Sequence, residues 1–170
     1  MRWAIVILAV VVLASCAKQP LAQAAVDLKA TNISSVTGLV TFTQYSDRVR
    51  IQAKVFGLSP GEHGFHIHDN GDCSAPDASS AGGHFNPFQE QHGSRSSDHR
   101  HAGDLGNIVA DDDGKVVLDI EDAHITLQGD HSIIGSAVIV HKDADDLTSQ
   151  PNGNAGARLA CGVITTVEQN

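Results

Sequence analysis

Alternation with a period of two dominates this chain. In Arg48-Val-Arg-Ile-Gln-Ala-Lys-Val-Phe56 polar and apolar side chains change places almost without fault. Residues 36–44 keep the same rhythm and are rich in β-branched side chains. Successive side chains of a strand point to opposite faces, so each such run buries one face and wets the other. Further strands are expected over 25–30, 107–110, 115–120, 136–141 and 158–167. Asp111-Asp-Asp-Gly114 separates two of them, and Asp-Gly between apolar runs signals a hairpin. That acidic run therefore reads as a solvated turn and not as a cation site. No window of eleven or more residues carries a convincing helical period. Many short strands joined by Gly-rich turns fold as an antiparallel sandwich or barrel. A chain of 170 residues without internal repeats can bury the core of one such domain.

Two stretches, 69–102 and 142–157, do not read as strands. Loops that long inside a compact domain are as a rule functional. Most of the histidines lie in or beside them, and the chain holds 10 His against one Met, one Trp and one Tyr. His66 and His68 are two apart, so an extended backbone puts both rings on one face. His84, His92 and His101 follow in the first loop, Asp104 comes just after it, and His141 ends a strand. Imidazole suits copper and zinc: tetragonal nitrogen sets suit copper(II), and tetrahedral sets of imidazole with a carboxylate suit zinc. Spacing alone does not divide these ligands between two metals. The formal net charge of -9 excludes the basic surface that a nucleic-acid binder needs. A charged share of 18% also argues against disorder.

The N-terminus reads as an address. Arg2 precedes twelve apolar residues ending at Ala14. A transmembrane helix needs roughly 20, whereas twelve after a positive charge fit the core of a secretory signal. The run ends in Leu13-Ala-Ser-Cys16, which resembles the lipobox of bacterial lipoproteins. Residues 1–15 are then a signal peptide, Cys16 the lipidated first residue, 16–24 a tether and 25–170 the domain. Acyl chains anchor a protein without making it span the bilayer. The expected location is exported and lipid-anchored in the periplasm or cell envelope, on the outer membrane if the source is Gram-negative. With Cys16 taken by lipid, Cys73 and Cys161 remain as an even pair in an exported chain, for which a disulfide is the default.

Six phrases divide the metal ligands: Gly64-Phe-His-Ile-His68, Gly82-Gly-His-Phe-Asn-Pro87, His101-Ala-Gly-Asp-Leu-Gly-Asn107, Gly129-Asp-His-Ser-Ile-Ile-Gly135, Val140-His141 and Gly153-Asn-Ala-Gly-Ala-Arg-Leu-Ala-Cys-Gly162. Together, and in this order, they resemble the copper/zinc superoxide dismutases over about residues 25–167. The resemblance implies an all-β, eight-stranded antiparallel Greek-key barrel of flattened sandwich shape, with two long functional loops. It places copper on His66, His68, His84 and His141, and zinc on His84, His92, His101 and Asp104. His84 would bridge the two as an imidazolate. His99 could compete with His101, but the Gly-Asp-Leu-Gly phrase follows the latter. Asp145 matches the residue that ties a copper histidine to a zinc histidine, here His66 to His92. Cys73 and Cys161 match the family's disulfide, and Arg158 its arginine beside copper. His63 and His131 match structural histidines, while His124 has no counterpart.

The implied reaction turns two superoxide anions into dioxygen and hydrogen peroxide by copper redox cycling. His84 would supply a proton and Arg158 would hold the anion. The competing reading is a non-catalytic copper-binding or delivery domain of the same fold. Such relatives usually lack a ligand or the arginine, and this chain has all of them. Two departures stand out. Segment 148–152 is shorter than in many animal and plant members and lacks the Glu and Lys that guide the anion there. Asn70 and Thr166 replace side chains that make the eukaryotic dimer contact, which leaves both a monomer and a homodimer open.

Overall fold

The computed structural model describes residues 19–168. The expected signal peptide over 1–15 and Cys16 lie outside the described residues. The strands are β1 (Ala22–Ala30), β2 (Thr37–Gln44), β3 (Val49–Phe56), β4 (Gly61–His68), β5 (Asp104–Ala110), β6 (Val116–Asp122), β7 (Ala137–His141) and β8 (Arg158–Val163); all but β4 fall on the expected runs, and for β4 the sequence predicts only an extended segment at His66 and His68. A two-residue β9 (Thr165–Thr166) pairs with the start of β1. The strand order is β5-β4-β7-β8-β1-β2-β3-β6, and all pairings are antiparallel. The chain makes the β1-β2-β3 meander, crosses to β4 and β5, returns to β6, and crosses again to β7 and β8. The result is a nearly closed eight-stranded Greek-key barrel whose seam lies between β5 and β6.

Period two explains which face each strand buries. Val49, Ile51, Ala53 and Val55 of β3 point into the barrel while Gln52 and Lys54 face water. Phe65 and Ile67 of β4 enter the same core, together with Val138 and Val140 of β7. His66, His68, Ile139 and His141 therefore stand on the outer face of these strands. That face is buried too, because the loops 69–103 and 142–157 fold over it.

A second, smaller core forms there from Ala78, Ala81, Ala137, Ile139 and Cys161, with Cys73 packed against it. Cys73 and Cys161 are joined by a disulfide across 88 residues of chain, with their Cα atoms 5.8 Å apart. Closing a loop of this length stabilises a fold by about 4.6 kcal/mol in the chain-entropy model. Here it also fixes the first loop to β8.

β1 begins at Ala22, three residues before the expected strand, because Ala22 to Ala24 continue the ladder with Gln44 to Phe42. β5 likewise begins at Asp104, opposite His66. The last expected strand breaks at Ile164, whose N–H donates to Ser136 and whose C=O accepts from Gly135. The chain then passes from β8 to β9.

Candidate metal centre

Two groups of buried ligand atoms share one residue. His66, His68, His84 and His141 form the first, and His84, His92, His101 and Asp104 the second. Within each group the ligand atoms lie within 4.8 Å of one another. β4 supplies His66 and His68, and β7 supplies His141 at its last position. His84 is drawn in by a single β-bridge to His68. Asp104 opens β5 beside His66, which brings the second group against the first.

The second group is arranged around one carboxylate oxygen. Asp104 Oδ1 lies 2.7 Å from His84 Nδ1, 3.0 Å from His92 Nδ1 and 3.2 Å from His101 Nδ1. His84 Nδ1 and His101 Nδ1 are 3.5 Å apart. A tetrahedron with arms of about 2.0–2.1 Å has edges of about 3.3 Å, so three imidazoles and a carboxylate in this arrangement fit zinc. The other oxygen, Oδ2, accepts the N–H groups of Gly93 and His101, which fixes the carboxylate.

Orphaned nitrogens give a second test of fit. His66 Nδ1, His84 Nε2 and His92 Nδ1 are buried without a hydrogen-bond partner. His92 Nδ1 is near Asp104 but lacks hydrogen-bond geometry, which suits an ion placed between them. An unpaired buried polar atom is costly, and a bound metal removes that cost. In the first group His68 Nε2 and His141 Nε2 face each other at 3.3 Å. Their Nδ1 atoms face the carbonyls of Gly82 at 2.9 Å and Gly156 at 3.3 Å. Four nitrogens without a carboxylate suit copper.

Asp145 stands behind both groups. Its Oδ2 accepts His66 Nε2–H at 2.8 Å, and its Oδ1 accepts His92 Nε2–H at 2.9 Å. Each ring is thereby held with Nδ1 toward its metal position. Burial pushes Asp145 up, but the bonds from His66 and His92 hold it well below the usual carboxylate range. Burial opposes ionisation of Asp104 too, and the bonds from His101, His84 and His92 overcome it. Burial lowers His68 and His141 well below an ordinary histidine, and it brings His84 down to about 4 despite Asp104. Neutral rings are what a metal needs. His92 differs: burial lowers it, yet its contacts with Asp104 and Asp145 win and raise it to about 9. Zinc uptake there must displace a proton.

Arg158 opens β8 and reaches the copper side. Its Nη1 donates to Ala78 O and its Nη2 to Gly82 O, each at 2.6 Å. Gly82 O also accepts from His68, so one carbonyl ties the guanidinium to a ligand of the first group. A cleft of about 420 Å³ opens over these atoms, lined by His68, Asp69, His84, His141, Asn152 and Arg158 among others.

Comparison with known proteins agrees with this geometry. The family described as "Copper/zinc superoxide dismutase (SODC)" matches residues 36–164. The chain belongs to the copper/zinc superoxide dismutases. It is 44% identical to the extracellular superoxide dismutase [Cu-Zn] of Brugia pahangi over 139 residues, 76% of this chain and 69% of that protein. It is 46% identical to superoxide dismutase [Cu-Zn] 2 of Mesembryanthemum crystallinum over 138 residues, covering 77% and 88%. The crystal structure of the clock protein EA4 superposes with a TM-score of 0.80 at 41% identity, covering 87% of this chain and 96% of that one. The chain is a superoxide dismutase, and the residue groups for copper and for zinc are both complete.

The remaining histidines lie outside both groups. His99 is exposed and sits 3.6 Å from Glu90. His124 lies near Asp122, and His131 packs against Phe88. His63 is buried, with Nδ1 against His141 O and Nε2 against Ser59 O.

Three supporting residues escaped the sequence reading. Arg100 is only 1% exposed; its Nη1 donates to the carbonyls of His101, Ala102 and Asp104, and its Nη2 pairs with Asp122. It shapes the turn between two zinc ligands. Asn107 exchanges two hydrogen bonds with the backbone of Asp145, and Gln150 does the same with His92. A lone arginine beside a ligand histidine was the one signal available for any of them.

Proposed function

We propose that this dismutase works as a lipid-anchored, exported enzyme that removes superoxide at the cell envelope, with Arg158 and His84 as its catalytic side chains. Bound copper supplies a one-electron redox couple, and bound zinc supplies charge and structure. The overall change balances as two superoxide anions and two protons giving dioxygen and hydrogen peroxide. Arg158 holds the anion in the cleft, since its charge is permanent and its fork is fixed by two carbonyls. His84 presents Nδ1 to the second group and Nε2 to the first. Its unpaired Nε2 is the atom at which a proton can be held beside the cleft. Asp145 keeps His66 and His92 in the tautomer that leaves Nδ1 free. The observation that carries this reading is the pair of buried ligand groups meeting at His84, open to a cleft with Arg158 on its wall. One copy of the chain supplies every residue of both groups, so the reading needs no second subunit.

The soluble chain from Ala17 onward should dismutate superoxide with about one copper and one zinc bound. Full metal loading without activity would move the reading to copper delivery. Chelation should lower the melting temperature by about 10 °C. A ligand at a thousand times its dissociation constant contributes about 4 kcal/mol, and each kcal/mol moves a domain of this size by roughly 2–4 °C.

Arg2, the apolar run to Ala14 and Leu13-Ala-Ser-Cys16 support a signal over 1–15 and an anchor at Cys16, with a short tether that ends where β1 begins at Ala22; the disulfide supports export to an oxidising compartment. Expression of the full chain in a bacterium fed labelled palmitate should label the wild type and leave Cys16→Ser unlabelled. Label on neither would remove the anchor and leave the enzyme reading untouched.

A further inference from the structure

Segment 148–152 lacks charged side chains that could guide an anion, and its amide at Gln150 makes an unusual contact. Gln150 Oε1 accepts the N–H of His92 at 2.8 Å, and Gln150 Nε2 donates to the C=O of the same residue at 2.8 Å. A side chain thus reproduces the double exchange that two residues make across an antiparallel ladder. The opposite orientation of the amide would set donor against donor and acceptor against acceptor, so the contact defines its own orientation. The segment is also braced internally. Asp146 accepts the N–H groups of Thr148 and Ser149, and Gly153 N–H donates to Ser149 O.

The partner in this contact is a ligand of the second group. The His92 ring lies between Asp104 and Asp145, and Asp104 also takes the N–H of Gly93 that follows it. Gln150 takes both backbone groups of His92 itself. On the other side, Pro151 and Asn152 follow directly in the chain and line the cleft over the first group. One amide therefore joins the backbone of a zinc ligand to the rim of the copper cleft. Asn107 clamps Asp145 in the same way, so the loop 142–157 is pinned on both sides of the carboxylate bridge.

We infer that Gln150 is a positioning residue: it locks the His92 backbone to the loop that borders the copper cleft, so zinc retention depends on this side chain. The inference rests on the reading of His84, His92, His101 and Asp104 as the zinc cage. Two neutral hydrogen bonds of ordinary strength correspond to about a tenfold change in an equilibrium or a release rate.

The test compares wild type, Gln150→Ala and Gln150→Glu, each loaded with copper and zinc. Zinc release into a chromophoric chelator is timed, and hydrogen exchange is followed at the amides of His92 and of Ile51 in the barrel core. Gln150→Ala should release zinc about tenfold faster and lose about tenfold in protection at His92, with Ile51 unchanged. Gln150→Glu keeps an acceptor for the His92 N–H but sets an oxygen against its C=O. It should retain His92 protection and still release zinc several-fold faster. General loosening of the loop would lower His92 protection in Gln150→Glu as well, and that outcome would overturn the inference. Zinc release within twofold of wild type in Gln150→Ala would overturn the inference. Should Gln150→Ala fail to fold, Gln150→Glu decides alone, and unchanged release there overturns it equally. A wild type that takes up no zinc would overturn the cage, and the inference with it.

Discussion

Asp145→Asn is expected to lower the affinity for zinc by about 10–100-fold, with a smaller loss of copper, while the barrel stays folded. The reason is tautomeric. Both oxygens of Asp145 are acceptors, and each takes an Nε2–H, from His66 and from His92. Each ring is then obliged to carry its unshared pair on Nδ1, and these are two of the nitrogens buried without a partner. An amide has one acceptor and one donor group. One of the two rings must turn, or shift its proton to Nδ1 and close its metal-binding atom.

His92 is the ring expected to fail first, because its Nδ1 lies 3.0 Å from Asp104 Oδ1, an acceptor ready for a proton moved there, whereas His66 Nδ1 has no such neighbour among the described residues. Little room exists for the loop to adapt. A Cβ on Gly153 would fall 1.8 Å from Asp145 Oδ1, and the backbone there has φ of +65°. Metal content after dialysis against graded chelator is the measurement. Equal retention of both metals in the variant and the wild type would show that Asp145 is not what orients these rings.

Much of this architecture could be read from the chain, because a strand with one dry face leaves a period in its sequence. β2, β3 and β6 are such strands, and each lies within two residues of its expected place. β4 shows where that signal stops. From His63 to His68 it is covered on both faces, by the core inside and the loops outside, so polar and apolar side chains are buried alike. Period two still placed His66 and His68 together. The division of ligands between two metals came from resemblance, since spacing along a loop does not say where the loop folds.

The clamps were hidden for a related reason. Gln150 and His92 are 58 residues apart, and Asn107 and Asp145 are 38 apart. Each is an ordinary polar residue until two loops have been laid across one sheet. Arg100 was hidden differently: an arginine in a loop is expected at the surface, yet this one is enclosed and bonded to three carbonyls and to Asp122.

Arg158→Ala is expected to slow dismutation at least tenfold at low ionic strength, with both metals retained, and to weaken the response to salt. Superoxide is an anion, and this chain is an anion of formal charge -9. At long range the two repel, so capture depends on the field inside the cleft. Clefts lined by one sign of charge can change association rates by about 10–1000-fold. Among the described residues lining this cleft, Arg158 is the only Lys or Arg, and Asp69 opposes it. Burial lowers the Arg158 guanidinium somewhat, but it stays charged at any pH at which the protein is folded. With it gone only the bound metal ions offset Asp69 and the net charge of the chain, so added salt should slow the variant less than it slows the wild type.

Arg158→Lys separates charge from geometry in the same assay. It restores a cation but not the fork that bonds Ala78 O and Gly82 O together, so it should recover part of the lost rate. A low-salt rate in Arg158→Ala equal to that of the wild type, with copper and zinc intact, would mean that the anion is captured without Arg158. The short loop would then have to guide it through backbone groups alone.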